Sequence, residues 1–250
     1  MKNSVSIITV NLNNAIGLKK TIRSYLLQDY KYKELIIIDG LSSDSSLDVI
    51  SKYKKYINFY ISAKDTGIYN AMNKGILIAK KEWVFFLNSG DTFYSKKLFK
   101  KIFRNDIKKK EVIYGDIKYK NIIDNILISL NSEMLFKNLW KNNLFHQAAL
   151  IRNKIHRKYL YNEKFKIIAD FIFFYNLYKR KYNFLKLSLI FANVDNQGIS
   201  SNNRIKSISE KKYFHHINKI QINYLSYYYV VMKALVSFIV TKLKKLFYLA

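Results

Sequence analysis

The sequence predicts an α/β fold: a mostly parallel sheet with helices on both faces, followed by a C-terminal helical appendage. Three observations predict it. Strand-like apolar runs alternate with helix-like stretches through the first 115 residues, as in a sheet whose crossovers are helices. Those runs are mostly continuous, the pattern of strands buried on both faces. Gly and Asp recur together just after the runs, where the ligand crevice of an open α/β sheet lies.

Taken in order, the first strand is expected at 5–11, where Val5-Ser6-Ile7-Ile8-Thr9-Val10 is a β-type run. A helix at 18–27 leads to the second strand at 35–39, a run of Leu and Ile ending in Asp. A helix at 46–56 and a strand at 57–61 follow. The helix at 68–79 is rich in small and polar residues, and the strand at 83–87 is fully apolar. A helix at 96–103 and a strand at 112–114 complete this half. Past Gly115 the pattern loosens: 117–130 reads as a hairpin, 131–145 as a loop or short helix, 148–151 as strand-like, 169–178 as a helix and 184–194 as a strand. A polar Gly/Ser/Asn loop covers 195–204, and 205–250 reads as a basic, apolar helical tail.

Composition narrows the function classes. Half of the 250 residues are hydrophobic and 16% are aromatic, enough for a sizeable core and against intrinsic disorder. With no Cys there is no disulfide framework, thiolate zinc site or Cys nucleophile. The seven glycines form neither GxGxxG nor GxxxxGK[ST], which excludes the simplest dinucleotide and P-loop fingerprints. The net charge of +27 does not read as nucleic-acid binding, because only six of the 44 basic residues are Arg and the lysines are scattered. Codon bias of an AT-rich genome accounts for such a composition, and an anionic membrane surface attracts the same charge. The first ten residues hold no secretory-signal pattern, so the expectation is a cytoplasmic protein.

Five glycines lie within three residues of an Asp: Asp39-Gly40, Asp65-Thr66-Gly67, Gly90-Asp91, Gly115-Asp116 and the 195–198 segment. Glycine permits close backbone approach to a ligand, and Asp is scarce in this chain. Pooled at one sheet edge, these pairs suggest a polar ligand that carries a metal.

Several blocks together carry a resemblance. They are Ser6-Ile7-Ile8-Thr9-Val10-Asn11, Leu35-Ile36-Ile37-Ile38-Asp39-Gly40-Leu41-Ser42-Ser43-Asp44, Asp65-Thr66-Gly67-Ile68-Tyr69-Asn70-Ala71-Met72-Asn73-Lys74-Gly75 and Trp83-Val84-Phe85-Phe86-Leu87-Asn88-Ser89-Gly90-Asp91. In this order they resemble family 2 glycosyltransferases with the GT-A-like, Rossmann-type fold, over roughly residues 4–200. The resemblance implies a glycosyltransferase domain at 1–204, with a nucleotide-sugar-binding half at 1–116 and an acceptor and catalytic half at 117–204. Residues 205–250 lie outside it.

The resemblance also implies roles. Val10 and Asn11 face the donor, and the carboxylate matching Asp39 hydrogen-bonds the imino N–H of the donor's uracil, so a UDP- or dTDP-sugar is expected; a helix cap is the bland alternative. Asp65, Asn70 and Lys74 lie near the nucleotide, although Asp65 reads equally well as a cap and Lys74 as solvated. Asn88, Ser89 and Gly90 line the donor, and Asp91 holds Mn²⁺ or Mg²⁺. The family usually has two or three carboxylates at this motif; this chain keeps one. Asp170, in Ile167-Ile168-Ala169-Asp170-Phe171, matches the base that deprotonates the acceptor, and an Asp within such an apolar run is costly unless partnered. His146-Gln147 and Asp116 are assigned to the acceptor or phosphates, with structural roles left open for all three.

The implied activity is inverting, metal-dependent transfer to a glycan or polyprenyl-linked acceptor in bacterial surface-polysaccharide assembly. The alternatives are a decayed, membrane-associated interaction protein on the same fold, or another nucleotide-sugar or nucleotidyl transferase. Segment 224–245 reads as an in-plane helix on the inner face of the cytoplasmic membrane, or as a helix packed on the domain or on a homodimer partner.

Overall fold

The computed structural model describes residues 3–120, 127–128, 144–195, 204–220, 224–225, 227–232 and 235–236. Its centre is β1 (Val5–Asn11), with every residue buried. Asn14 caps α1 (Ala15–Leu26), its side-chain oxygen accepting from Gly17 N at 3.0 Å. β2 (Lys33–Asp39) runs parallel to β1, with Asn11 opposite Asp39. α2 (Ser46–Tyr53) ends in a 3-10 turn, Lys54–Tyr56, and leads to the edge strand β3 (Phe59–Ser62). α3 (Ile68–Ile78) returns over β1 and β2, and β4 (Trp83–Phe86) pairs with the other side of β1.

The second half is mixed. β5 (Thr92–Phe93), α4 (Leu98–Ile102), β6 (Val112–Lys120) and β7 (Leu127–Ile128) precede a 3-10 turn, His146–Ala148. Then come β8 (Ala149–Arg152), α5 (Asn153–Lys158), α6 (Ala169–Lys179), β9 (Phe184–Asp195) and α7 (Arg204–Ile217). The strands form one sheet in the order β3-β2-β1-β4-β8-β6-β9-β5, with β7 on β6. β3, β2, β1 and β4 are parallel, as are β6 and β9, whereas β8 is antiparallel to both its neighbours. The core is one cluster built from the continuous runs of β1, β2, β4 and β6. α3 lies close on it because Gly75 has no side chain; a Cβ there would meet Ile8 Cγ2 at 2.5 Å.

Strands and helices stand where the first half of the sequence places them, with small shifts at their ends. The chief difference is at Gly115-Asp116, expected after a strand ending at 114 but found inside β6. There β6 shifts register against β9, first between Tyr114 and Asp116, then between Asp116 and Ile117. Gly115 permits the close approach, since a Cβ would lie 2.3 Å from Leu189 O. The predicted hairpin appears as β6 with β7, where Ile117 pairs Ile128. β5 and α5 are elements that the sequence pattern leaves unmarked.

At the sheet edge away from Asp39, Arg152 ties three segments together. Its guanidinium lies 4.2 Å from the Trp83 ring centroid, pairs with Glu82, and donates to Lys110 O at 2.9 Å and Ile107 O at 3.0 Å. On the far side, α7 packs against α6 through Phe214, 6.1 Å from the Phe171 ring and 5.5 Å from that of Tyr175.

Most of 131–145, the loop at 196–203, and Lys233 and 237–250 of the tail lie outside the described residues. Those of 224–236 that are described are helical and expose Tyr224, Leu225, Tyr228, Tyr229, Met232, Leu235 and Val236. Among the described residues no helix is long and apolar enough to cross a membrane.

Gly115→Ala is expected to destabilise the fold by about 1–3 kcal/mol, because a backbone oxygen cannot move aside as a side chain can. Thermal unfolding of the variant measures this, and an unchanged melting temperature would mean that β9 yields at the bulge.

Candidate active site

The ends of β1, β2 and β3 meet at one carboxylate. Asp39 is fully buried. Asn11 Nδ2 donates to its Oδ1 at 2.7 Å and Ser42 Oγ to the same oxygen at 2.6 Å. Ser42 N donates to Oδ2 at 2.9 Å and Ser62 Oγ at 2.7 Å. A carboxylate has about four lone-pair sites, and here protein donors fill them all. Burial pushes the carboxyl up, but these donors outweigh it and hold Asp39 below the usual carboxylate range.

The turn after β4 is clamped to α1. Buried Thr21 accepts from Gly90 N at 3.0 Å, and its hydroxyl lies 2.8 Å from Asp91 O and 3.1 Å from Asn88 O. Lys20 Nζ donates to Gly90 O at 2.8 Å, and Asn14 Nδ2 to Ser89 O at 3.2 Å. Ser89 N reaches back to Val10 O at 3.1 Å, which joins the turn to β1. Gly90 takes φ +102, a value that suits glycine.

This turn presents Asp91, which is 4% exposed. Asp195 N donates to its Oδ1 at 2.9 Å, and Gln147 Nε2 lies 3.4 Å from Oδ2. Burial pushes the carboxyl up to about 6; the Asp195 amide, His146 and Gln147 pull against that, while the Asp195 carboxylate adds to it. Asp195 therefore brings a second carboxylate beside Asp91 from the end of β9. The sequence reading treats it as the start of a loop. Two buried amide oxygens on this rim, Asn11 Oδ1 and Asn88 Oδ1, accept no hydrogen bond among the described residues.

Across the rim stands Asp170, in the first turn of α6. Phe171 N donates to its Oδ1 at 2.9 Å. The Tyr69 hydroxyl lies 2.9 Å from that oxygen and 2.8 Å from Ile167 O. His146 Nδ1 lies 2.9 Å from Oδ2, and His146 Nε2 lies 3.0 Å from Asn88 Nδ2. An amide nitrogen only donates, so with Asn88 in this orientation Nε2 accepts and the imidazole proton sits on Nδ1, pointing at Asp170. Asn88, His146, Asp170 and Tyr69 thus form one continuous chain.

The other predicted residues fall elsewhere. Asp65 accepts from Gly67 N at 2.9 Å, and its Oδ2 lies 2.7 Å from where a Gly40 side chain would begin. Asn70 donates to Glu163 Oε2 at 3.0 Å and Lys74 to Lys64 O at 3.0 Å. Glu163 also accepts from Asn73 at 2.9 Å; burial raises its carboxyl, but these amides and Thr66 hold it below the usual range. Asp116 is half-buried at the β6 bulge. His156, to which the sequence assigns no role, is fully buried and stacks 4.5 Å from the Phe173 ring.

The profile described as Glycosyl transferase family 2 matches residues 6–184. The chain belongs to glycosyltransferase family 2. A PGL/p-HBAD biosynthesis glycosyltransferase of Mycobacterium bovis is 29% identical over 179 residues, 67% of each chain. Poly(ribitol-phosphate) β-N-acetylglucosaminyltransferase TarP of Staphylococcus aureus is 42% identical over 101 residues, 38% of this chain and 30% of TarP. Among solved structures, S. aureus TarS 1–349 with UDP-GlcNAc superposes with a TM-score of 0.65 at 17% identity, covering 80% of this chain and 61% of the other. A mannosyltransferase of Pyrobaculum calidifontis with GDP-Man and Mn²⁺ gives 0.63 at 12% identity, over 83% and 61%. The chain therefore spans about three-fifths of these solved structures, and the likeness to them shows the GT-A fold.

This family 2 member builds its rim from more residues than the sequence indicates. Tyr69 stands inside a quoted block, yet only the structure joins it to Asp170. Ser62 and Thr21 are short hydroxyls whose partners are distant in sequence, and Ser42 bonds Asp39 three residues before it. For Glu163 the one available signal is the scarcity of acids in a basic chain.

Asp39→Asn is expected to lower stability at pH 7 by about 1–3 kcal/mol. The folded carboxyl titrates below its unfolded value of about 4. The wild-type advantage is therefore full above that value and fades as pH falls through the folded one. Unfolding curves from pH 7 down to about pH 2 read this; a constant difference would mean that the charge of Asp39 contributes nothing.

Proposed function

We propose that this chain is an inverting, metal-assisted glycosyltransferase that moves a sugar from a UDP- or dTDP-type donor to a glycan or polyprenyl-linked acceptor. The observation that carries the proposal is the difference between two carboxylates. Among the described residues, donors fill all of about four lone-pair sites on Asp39, but only three on Asp170, leaving one on Oδ2. That open site suits an acceptor hydroxyl. In a single displacement the hydroxyl proton passes to Asp170 Oδ2 while the acceptor oxygen bonds the anomeric carbon. The bond from that carbon to the diphosphate oxygen breaks, and the configuration inverts. His146 and Tyr69 hold the carboxylate in place and share its charge.

The donor end of the rim is read from Asp39, Asn11 and the turn after β4. An imide N–H reaches Asp39 when a serine hydroxyl rotates away, which Ser42 and Ser62 can do as free rotors. Val10, Ser89 and Gly90 bring backbone close to the sugar phosphate. Asp65 lies over Gly40 and fits the nucleotide side, whereas Asn70 and Lys74 would have to leave Glu163 and Lys64 O to touch it. Gln147 beside Asp91 suits a phosphate, and Asp116 suits the acceptor side.

Mn²⁺ or Mg²⁺ fits the residues at the turn. Among the described residues Asp91 is a buried carboxylate short of donors and Asn88 Oδ1 accepts no hydrogen bond; both are the oxygen ligands that hard cations prefer. Asp91 would hold the ion, which when bound neutralises the departing diphosphate.

TarP by its name acts on poly(ribitol-phosphate), and TarS was solved with UDP-GlcNAc. These relatives favour a place in bacterial surface-polysaccharide assembly, and a cytoplasmic location is part of the same proposal. Peripheral contact with the inner membrane face through 224–245 belongs to the same reading, supported by the exposed Tyr, Leu and Met side chains there and the net charge of +27. A homodimer is the other cover for that surface. The assembled chain from Asn88 to Tyr69 favours the enzyme over a decayed interaction protein.

Thermal unfolding with UDP, GDP or AMP, each with Mn²⁺ or EDTA, tests the donor site. UDP with Mn²⁺ at about a hundred times its dissociation constant is expected to add about 2.7 kcal/mol. Asp91→Ala is expected to lose the metal dependence. No shift with any nucleotide would sink the donor assignment. Asp170→Asn is expected to keep the UDP shift and lower transfer by about 10²–10⁴-fold, and an equally active variant would remove Asp170 from the role of base.

A further inference from the structure

Helix α7 begins where the family match has already ended, yet two adjacent residues of it pack against the start of α6, the helix that carries the base of the proposed reaction. Glu210 accepts from three successive backbone amides ahead of α6. Lys166 N donates to Oε1 at 2.9 Å, while Ile167 N and Ile168 N donate to Oε2 at 2.9 Å and 3.2 Å. Ile168 is the N-cap position of α6, and its own side chain makes no capping bond. A carboxylate borrowed from α7 therefore satisfies the N-cap amide and the two amides before it, and suits the positive end of the helix dipole.

Lys211 follows directly and is 4% exposed. Its ammonium lies 4.8 Å from the centroid of the Phe171 ring, the residue that follows Asp170 in α6. A buried ammonium costs several kcal/mol unless an anion balances it. Burial pulls Lys211 down to about 8, and the Asp170 carboxylate acts against that pull. A chain with 44 Lys and Arg gains nothing in solubility from one more buried cation, so its placement needs a local reason. The other titratable groups facing Asp170 are His146 from the 3-10 turn, Tyr69 from α3 and Tyr161 from the loop before α6. His215, one helical turn after Lys211, feels the ammonium.

We infer that α7 is part of the catalytic unit, with Glu210 holding the segment that leads into α6 and Lys211 serving as the counter-charge that positions Asp170. The inference rests on the reading of Asp170 as the base, but its test does not require turnover.

A double-mutant cycle of Lys211→Met and Asp170→Asn, read by thermal unfolding of the full chain, decides the charge pairing. The double variant is expected to melt about 3 °C or more above the value that adding the two single losses gives, since removing both charges leaves neither buried alone. A merely structural role for Lys211 would produce the same change in both backgrounds, and additivity within error would overturn the pairing. UDP with Mn²⁺ should shift Lys211→Met as much as the wild type. Loss of that shift alone would overturn the inference by making Lys211 a donor ligand. If UDP fails to shift the wild type, the donor reading falls while the cycle still decides the pairing. For the clamp, Glu210→Ala is expected to speed hydrogen exchange at amides 166–168 more than Glu210→Gln does, and unchanged exchange would overturn it.

Discussion

A carboxylate removed from water keeps its charge only if donors or cations replace the water, and three acids on one rim of this sheet meet that requirement to different degrees. Asp39 has its full complement of donors, and so behaves as a structural knot between β1, β2 and β3. Among the described residues Asp170 stops one donor short. Asp91 has an amide, a long contact to Gln147 and a second carboxylate nearby, and its carboxyl accordingly rises to about 6. The order of saturation follows the proposed roles: the satisfied acid ties the strand ends and can exchange one hydroxyl for the donor's imide, the nearly satisfied one would receive a proton, and the least satisfied one would hold a cation.

The fold supplies those donors at little cost because it needs the same groups elsewhere. Strand ends carry backbone amides with no ladder partner, and the turn after β4 carries several. Thr21 satisfies that turn from α1, so the helix that packs against the sheet also sets the height of Asp91. α3 brings Tyr69 to Asp170 in the same way, through a helix seated closely on β1 by Gly75. Rim and core are therefore mechanically one body, and a change of packing under α1 or α3 is transmitted to the acids.

Much of the architecture was legible in the sequence, for a specific reason. In the first half the strands are buried on both faces and read as continuous apolar runs, and their ends are marked by Asn11, Asp39 and 88–91. The second half is harder to read because β5 and α5 are short and owe their form to neighbours rather than to pattern. Gly115-Asp116 looks like a turn by composition, whereas its glycine answers a close approach between β6 and β9. The site shows the same division. Asp91, His146 and Asp170 stand out as chemistry-bearing residues, but no spacing along the chain joins Asp195 to Asp91, Tyr69 to Asp170 or Glu210 to amides 166–168. Those links exist only once β9, α3 and α7 have docked.

Arg152 adds a statement about sequence drift. A single G-to-A change turns an AGA arginine codon into an AAA lysine codon, and this chain is steeped in lysine, with six arginines among 44 basic residues. At Arg152 a planar fork reaches carbonyls of Lys110 and Ile107 and the Glu82 carboxylate while its face covers Trp83. A lysine could supply the charge, but it has neither the flat face nor the divergent N–H groups. The arginines that survive such mutational pressure are thus a map of where shape outweighs charge, and Arg152 marks that boundary on the side of the sheet opposite the acids.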